Sequence, residues 1–220
     1  MAYSRRHLLG AGAAAALLGG SAKAQTLAEI VAGLKDPPRV PAKGHSVTVD
    51  AAVDPRLLAR ARKAFDANRH NLRHHDMIGI TDFSRASREP RFFLLDTASG
   101  RISGHLVCHG RGSDPNHSGW LDHFSNEVGS AASSAGAYVT GDYYYGKYGR
   151  AMRLHGLERR NCNAEARAIV VHSAWYAEPK VIDEQGKLGR SEGCFTFSQA
   201  SLREVLARLG PGRLLFADKV

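Results

Sequence analysis

The chain has 220 residues, 43% of them hydrophobic and 23% charged, with 30 lysines and arginines against 21 acids. That length holds one domain with a substantial core and is short for two, and the composition is that of an ordinary soluble globular protein. The arginines do not cluster with aromatic residues, so nucleic acid is not an expected partner.

The first 24 residues, "MAYSRRHLLGAGAAAALLGGSAKA", have a basic start, an apolar run from Leu8 to Leu18, and small residues ending at Ala24. This order predicts a cleavable export signal whose run is too short to span a bilayer. Arg5 and Arg6 give it the twin-arginine form. The mature protein is then expected in the periplasm, with 27 basic residues against 21 acidic and a formal charge of +6. No other stretch is long or apolar enough for a membrane span. A moderately basic exported protein suits a polyanionic or carboxylate-rich partner.

Residues 25–75 read as an arm followed by a helix. The prolines of "DPPRVPAKGHSVTVDAAVD" keep the arm extended. Asp54 then stands as N-cap and Pro55 as first helical residue, with Leu57, Leu58, Ala61, Ala64 and Phe65 on one face. From residue 76 the pattern changes to period two. "MIGITDF" predicts a strand, and "RFFLLD" and "ISGHLVCHG" flank "TASGR" as a hairpin. "GAYVTGDYYYGKYG", "RLHGL" and "AIVVHSAWY" are further extended segments. A loop containing "DEQGKLGR" follows, then a helix in "SQASLREVLARL" capped by Ser198, and a last strand in "PGRLLFADKV". Strands dominate without alternating with helices, which excludes a doubly wound α/β fold.

Three cysteines is an odd count for an oxidising compartment. A Cys108–Cys162 bridge is one pairing to consider, and it leaves Cys194 as the thiol. Free cysteines are commonly buried and inert, so Cys194 needs an activating partner before it counts as a nucleophile. His172, 22 residues earlier in "AIVVHSAWY", is delivered to a strand end by four apolar residues. Gly193 permits a tight turn that can aim the Gly193 and Cys194 N–H groups at an oxyanion. Spacing alone leaves both readings open, since the chain has 11 histidines.

The segment "AIVVHSA…LGRSEGCF" resembles the L,D-transpeptidase catalytic domain (the YkuD-like fold), whose core reads His-Gly-x, a loop, then Ser-His-Gly-Cys. "HGRGSD", "FSNEVGSAASSAGAYVTGDYYYGKYG" and "RLHGLERRNCNAEARAIVVH" resemble, in order, the motifs of its murein L,D-transpeptidase branch. The resemblance runs from about Ile78 onward. It implies a mainly β, sandwich-like catalytic fold over residues 76–220 with a few peripheral helices. It also implies Cys194 as nucleophile, His172 as base, Ser173 orienting the imidazole through its carbonyl, and Gly193 and Cys194 as oxyanion donors. Arg190 and Ser191 would shape the pocket. Glu192 departs from the pattern where a second histidine is usual, and Phe195-Thr196 replace an apolar residue and arginine. Arg190, Arg153 or Lys147 would then meet a substrate carboxylate.

The implied reaction is two-step acyl transfer between peptidoglycan stem peptides, giving 1-3 links from L-Ala or 3-3 links from diaminopimelate. Water as acceptor would make a carboxypeptidase, and a non-catalytic wall-binding protein is the remaining alternative. His109 is expected near substrate. Tyr145, among Tyr143, Tyr144 and Tyr148, and Trp175 with Tyr176 are expected as pocket walls. The histidine groups at residues 70–75 and 105–123 lack HExxH and metal-ligand spacing. No metal and no cofactor is expected.

Overall fold

The computed structural model describes residues 53–220; the export signal and the arm to residue 52 lie outside the described residues. Helix α1 (Pro55–Ala67) begins as its sequence requires, the Asp54 carboxylate accepting from the Arg56 N–H at 2.8 Å. Eight strands follow: β1 (Met77–Asp82), β2 (Phe92–Asp96), β3 (Ile102–His105), β4 (Gly136–Gly146), β5 (Gly149–Gly156), β6 (Val170–Ser173), β7 (Phe195–Phe197) and β8 (Leu214–Asp218). Helices α2 (Pro179–Gln185) and α3 (Gln199–Arg208) lie between β6 and β7 and between β7 and β8.

All eight strands form one sheet in the order β3-β2-β1-β8-β4-β5-β6-β7. Pairing is antiparallel except β1 with β8 and β6 with β7, which are parallel. The period-two sequence pattern sorts the core onto two faces. On one face Ile78, Ile80, Phe93, Leu95, Leu214 and Phe216 meet Leu57, Ala61 and Phe65 of α1. On the other, Phe92, Leu94, Leu215, Phe195 and Phe197 meet Leu202, Val205 and Leu206 of α3. Helix α1 is therefore part of the same core as the strands.

The sheet also folds back on itself. Phe92 of β2 and Phe197 of β7 lie near opposite ends of the strand order, yet their rings meet edge to face at 4.8 Å. The seam is hydrogen-bonded: the Cys108 N–H donates to the Thr196 carbonyl at 2.9 Å, and the Ser191 N–H to the His109 carbonyl at 2.9 Å. The mainly β, sandwich-like expectation holds for this reason.

Two expectations need correction, and one holds. The hairpin strand expected over residues 102–110 ends at His105, because the chain leaves β2 to form that seam. The extended segments expected in "GAYVTGDYYYGKYG" are present as an 11-residue strand, a turn at Lys147-Tyr148 and the start of β5. The loop expected after residue 176 contains α2, started by Pro179 and ended by Gly186 at φ 72°. Its one buried residue is Val181, so it carries no apolar periodicity.

Candidate active site

Strand β6 carries His172 and β7 follows directly on Cys194. Their parallel register sets Val171 beside Phe195 and His172 beside Thr196. The two residues named as nucleophile and base are thus brought to one end of the same strand pair.

Cys194 is half-buried, and its Sγ–H donates to the Ala168 carbonyl at 3.5 Å. Burial pushes the thiol above its ordinary value; a hydrogen bond from the Val170 N–H and the Arg167 charge oppose this, and Glu192 adds to it. His172 is buried, with Nδ1 3.0 Å from the Ser173 carbonyl and Nε2 3.0 Å from Thr196 Oγ1. Burial pulls the imidazole below its usual value, against the Ser173 hydrogen bond. Both shifts favour neutral forms, so the resting pair is a thiol and an uncharged imidazole. A carbonyl only accepts, so Nδ1 carries the hydrogen and Nε2 presents the basic lone pair. The Tyr148 ring stacks on the imidazole at 5.1 Å.

The turn before Cys194 is tightly built. Gly193 has φ 111°, and a Cβ there would stand 2.7 Å from the Ala132 carbonyl oxygen. Ser191 Oγ donates to the Cys194 carbonyl at 2.8 Å and accepts the Gly193 N–H at 3.2 Å. This changes two expected roles. Ser191 is 3% exposed and braces the turn from inside, and the Gly193 N–H is already occupied. The Cys194 N–H has no hydrogen-bond partner among the described residues, so of the two expected oxyanion donors it is the one still available.

Ser173 adds a second tie, its Oγ donating to Gln199 Oε1 at 2.7 Å. His109, expected to touch substrate, has no exposed surface. Its Nδ1 accepts from Arg91 at 2.8 Å and its Nε2 meets Asp114 Oδ2 at 3.1 Å, so it is a buried brace beneath the seam. Arg190 donates to the Asp114 carbonyl and, at 3.2 Å, to that of Pro115. With Arg111, His117, Trp175, Tyr176 and Gly189 it lines a cavity of about 230 Å³. Trp175 is 69% exposed at that wall. Arg153 lies over the Tyr144 ring at 4.7 Å, and a Cys194 thiolate would be close enough to raise the Tyr144 phenol. Tyr145 is 82% exposed at the hairpin tip, and Tyr148 is the tyrosine that faces the base.

All three cysteines are free. The pairing considered for Cys108 and Cys162 is absent: Cys108 is fully buried, and Cys162 is exposed beside Asn126 Nδ2 at 3.3 Å.

Sequence reasoning missed Arg167. Its guanidinium reaches the carbonyls of Ser125 (2.6 Å), Ser130 (2.9 Å) and Ala132, and the Ser134 hydroxyl (2.5 Å). It lies 3.3 Å from where a Gly193 Cβ would stand, a fixed positive charge behind the thiol. The only trace in the sequence was its place at the head of "RAIVVH". Glu192 is ion-paired to Arg111 Nε at 2.9 Å on the open side of the turn.

This arrangement is a thiol on a strained glycine turn, beside a buried imidazole whose tautomer is fixed. The family model of the L,D-transpeptidase catalytic domain (YkuD_2) matches residues 50–217. The chain belongs to that family. No curated protein sequence matches it. Similar solved structures include an L,D-transpeptidase from Mycobacterium smegmatis, with 13% identity, TM-score 0.39, and 65% of this chain covered against 58% of that one. Another, from Mycobacterium tuberculosis H37Rv, has 14% identity and TM-score 0.37, with coverages of 65% and 57%. A third, from Xylanimonas cellulosilytica DSM 15894, has 14% identity and TM-score 0.36, with coverages of 71% and 68%. The chain spans less than two thirds of the length of the two mycobacterial proteins.

Proposed function

We propose that the protein is a periplasmic peptidoglycan L,D-transpeptidase, exported by the twin-arginine route and working through a Cys194 acyl-enzyme. The observation that carries this reading is an unoccupied Cys194 N–H next to its own thiol, two residues before the position that the β6–β7 register sets beside His172. His172 takes the thiol proton as Sγ attacks the carbonyl of an L-centre in a stem peptide. The tetrahedral oxyanion is held by the Cys194 N–H. Collapse expels the D-residue as an amine that leaves with the proton from His172, and a thioester remains. A neighbouring stem's amine then attacks the thioester, giving its proton to His172, and Cys194 is released as a thiol. The cavity edged by Arg190 and Arg111 suits a stem carboxylate. L-Ala is the favoured donor, giving 1-3 links to diaminopimelate, and diaminopimelate itself, giving 3-3 links, is the alternative.

The test is incubation of the mature protein and Cys194→Ala with muropeptides, read by mass spectrometry with fragmentation. Dimers made only by the unaltered protein support the proposal, and the fragments identify the donor residue. Shortened monomers without dimers mean a carboxypeptidase. No change with either protein means a wall-binding role.

A further inference from the structure

The parallel register that sets His172 beside Thr196 sends both side chains to one face of the sheet. Thr196 has no exposed surface, and its Oγ1 lies 3.0 Å from His172 Nε2. Because Nδ1 donates to the Ser173 carbonyl, Nε2 has no hydrogen and Thr196 is the donor. Tyr176 lies close enough to Thr196 for that hydroxyl to act on its phenol. Among the described residues no hydrogen bond joins Cys194 Sγ to the ring; the thiol points to Ala168. The basic nitrogen is therefore held by a hydroxyl two residues past the nucleophile, at a position where the family pattern has arginine.

We infer that Thr196 is a positioning residue for the base, and that with Tyr176 it forms a hydroxyl pair that reverses direction as His172 gains and loses its proton. The inference rests on the reading of Cys194 and His172 as nucleophile and base. In the resting state the chain runs from the Tyr176 hydroxyl to Thr196 and then to Nε2. His172 takes the thiol proton once the Thr196 hydroxyl has turned off the single Nε2 lone pair, and the new Nε2–H then donates to Thr196 Oγ1. The Thr196 hydroxyl turns to the Tyr176 oxygen, and the phenol proton turns outward. One proton moves from Sγ to Nε2, and the other two rotate without leaving their oxygens.

The reversal favours the charged ring. A hydrogen bond from an imidazolium is roughly twice as strong as one between neutral groups, so the pair stabilises His172 in its protonated form more than in its neutral one. That offsets part of the cost of charging a buried imidazole. Tyr148 of the hairpin turn stacks on the ring, whose own shift comes from burial and the Ser173 carbonyl, while Arg167 and Glu192 act on Cys194, and Tyr176 lies by Thr196. Helix α3 contributes only the neutral Gln199, through Ser173. Among the described residues the side-chain hydrogen bond of Thr196 Oγ1 is to His172 Nε2.

The test is the pH dependence of iodoacetamide alkylation at Cys194, read on its own peptide by mass spectrometry, in Thr196→Val, Thr196→Ser and Tyr176→Phe. Thr196→Val should move the alkylation profile to higher pH, because the thiolate loses the stabilised imidazolium beside it. Thr196→Ser should restore the original profile, and Tyr176→Phe should shift it less in the same direction. A Thr196→Val profile identical to the unaltered protein's overturns the inference. So does a serine variant that behaves like valine, since that would make the effect one of packing. Alkylation needs no stem peptide, so a failure to cross-link muropeptides leaves this result readable. If Cys194 in the unaltered protein alkylates no faster than buried Cys108, the nucleophile reading itself falls.

Discussion

Arg111 Nε stands 2.9 Å from the carboxylate of Glu192, and the Arg111 N–H donates to the Ser191 carbonyl at 2.7 Å. The pair thus sits across the seam beside the nucleophile. Glu192 holds the thiol up, and the ion pair leaves its charge only partly compensated at an exposed site. Glu192→Gln should shift the alkylation profile of Cys194 to lower pH. An unchanged or upward shift would remove Glu192 from the electrostatics of the thiol.

Gly193 occupies a backbone region that a Cβ strains, and the nearest obstacle is a carbonyl that Arg167 holds in place. Gly193→Ala should cost about 1–3 kcal/mol of stability. It should also reduce turnover by on the order of 10²-fold as Cys194 is displaced. Denaturant unfolding and muropeptide turnover on the same preparation check both numbers.

The Arg91–His109–Asp114 chain lies under the same turn with no exposed surface. Asp114 accepts from His109, from the Ser118 N–H at 2.7 Å and hydroxyl at 3.0 Å, and from the Gly119 N–H at 2.9 Å. Asp114→Ala leaves the buried His109 N–H without its acceptor and removes a carboxylate that offsets the buried Arg91 charge, and should cost about 3–5 kcal/mol. A loss below about 1 kcal/mol, within the range of an exposed pair, would show that the network is not a brace.

Acid should destabilise the protein before the carboxylates titrate. Burial holds His105, His109 and His172 below the ordinary imidazole value, His109 at about 4. The unfolded chain binds protons on these rings near pH 6.5 and the folded chain only at lower pH. Stability is therefore greatest above about pH 6.5 and falls as pH drops towards 4. For His109 alone the loss is on the order of 3 kcal/mol. Urea midpoints measured across this interval should decline steadily; a flat series would contradict the burial of these rings.

Local elements were legible because local chemistry makes them. Asp54 and Ser198 cap their helices as their sequences require, and β1, β2 and the start of β3 follow from alternation and a turn. Cys194 and His172 were legible through the resemblance of "AIVVHSA…LGRSEGCF". What could not be read depends on register between distant segments. Thr196 appeared only as a missing arginine, since its bond to His172 exists only once β6 and β7 align. His109 looked available because "CHGRGS" adjoins the site, while its burial depends on Arg91 and Asp114 closing over it. Helix α2 has terminal signals, a proline and a left-handed glycine, but only one buried residue between them.

Strand β8 lies between β1 and β4, parallel to one and antiparallel to the other. Within the sheet ladder, β4 to β7 join the first three strands through it. The register of Ile78 with Leu214 joins residues far apart in sequence, and closing so large a loop is slow. Without β8 in place, β1 and β4 each show an open edge, and pairing of Leu214–Asp218 covers both. Until then both edges are free to pair with other chains, so the passage from nascent chain to active protein is also the period of greatest aggregation hazard.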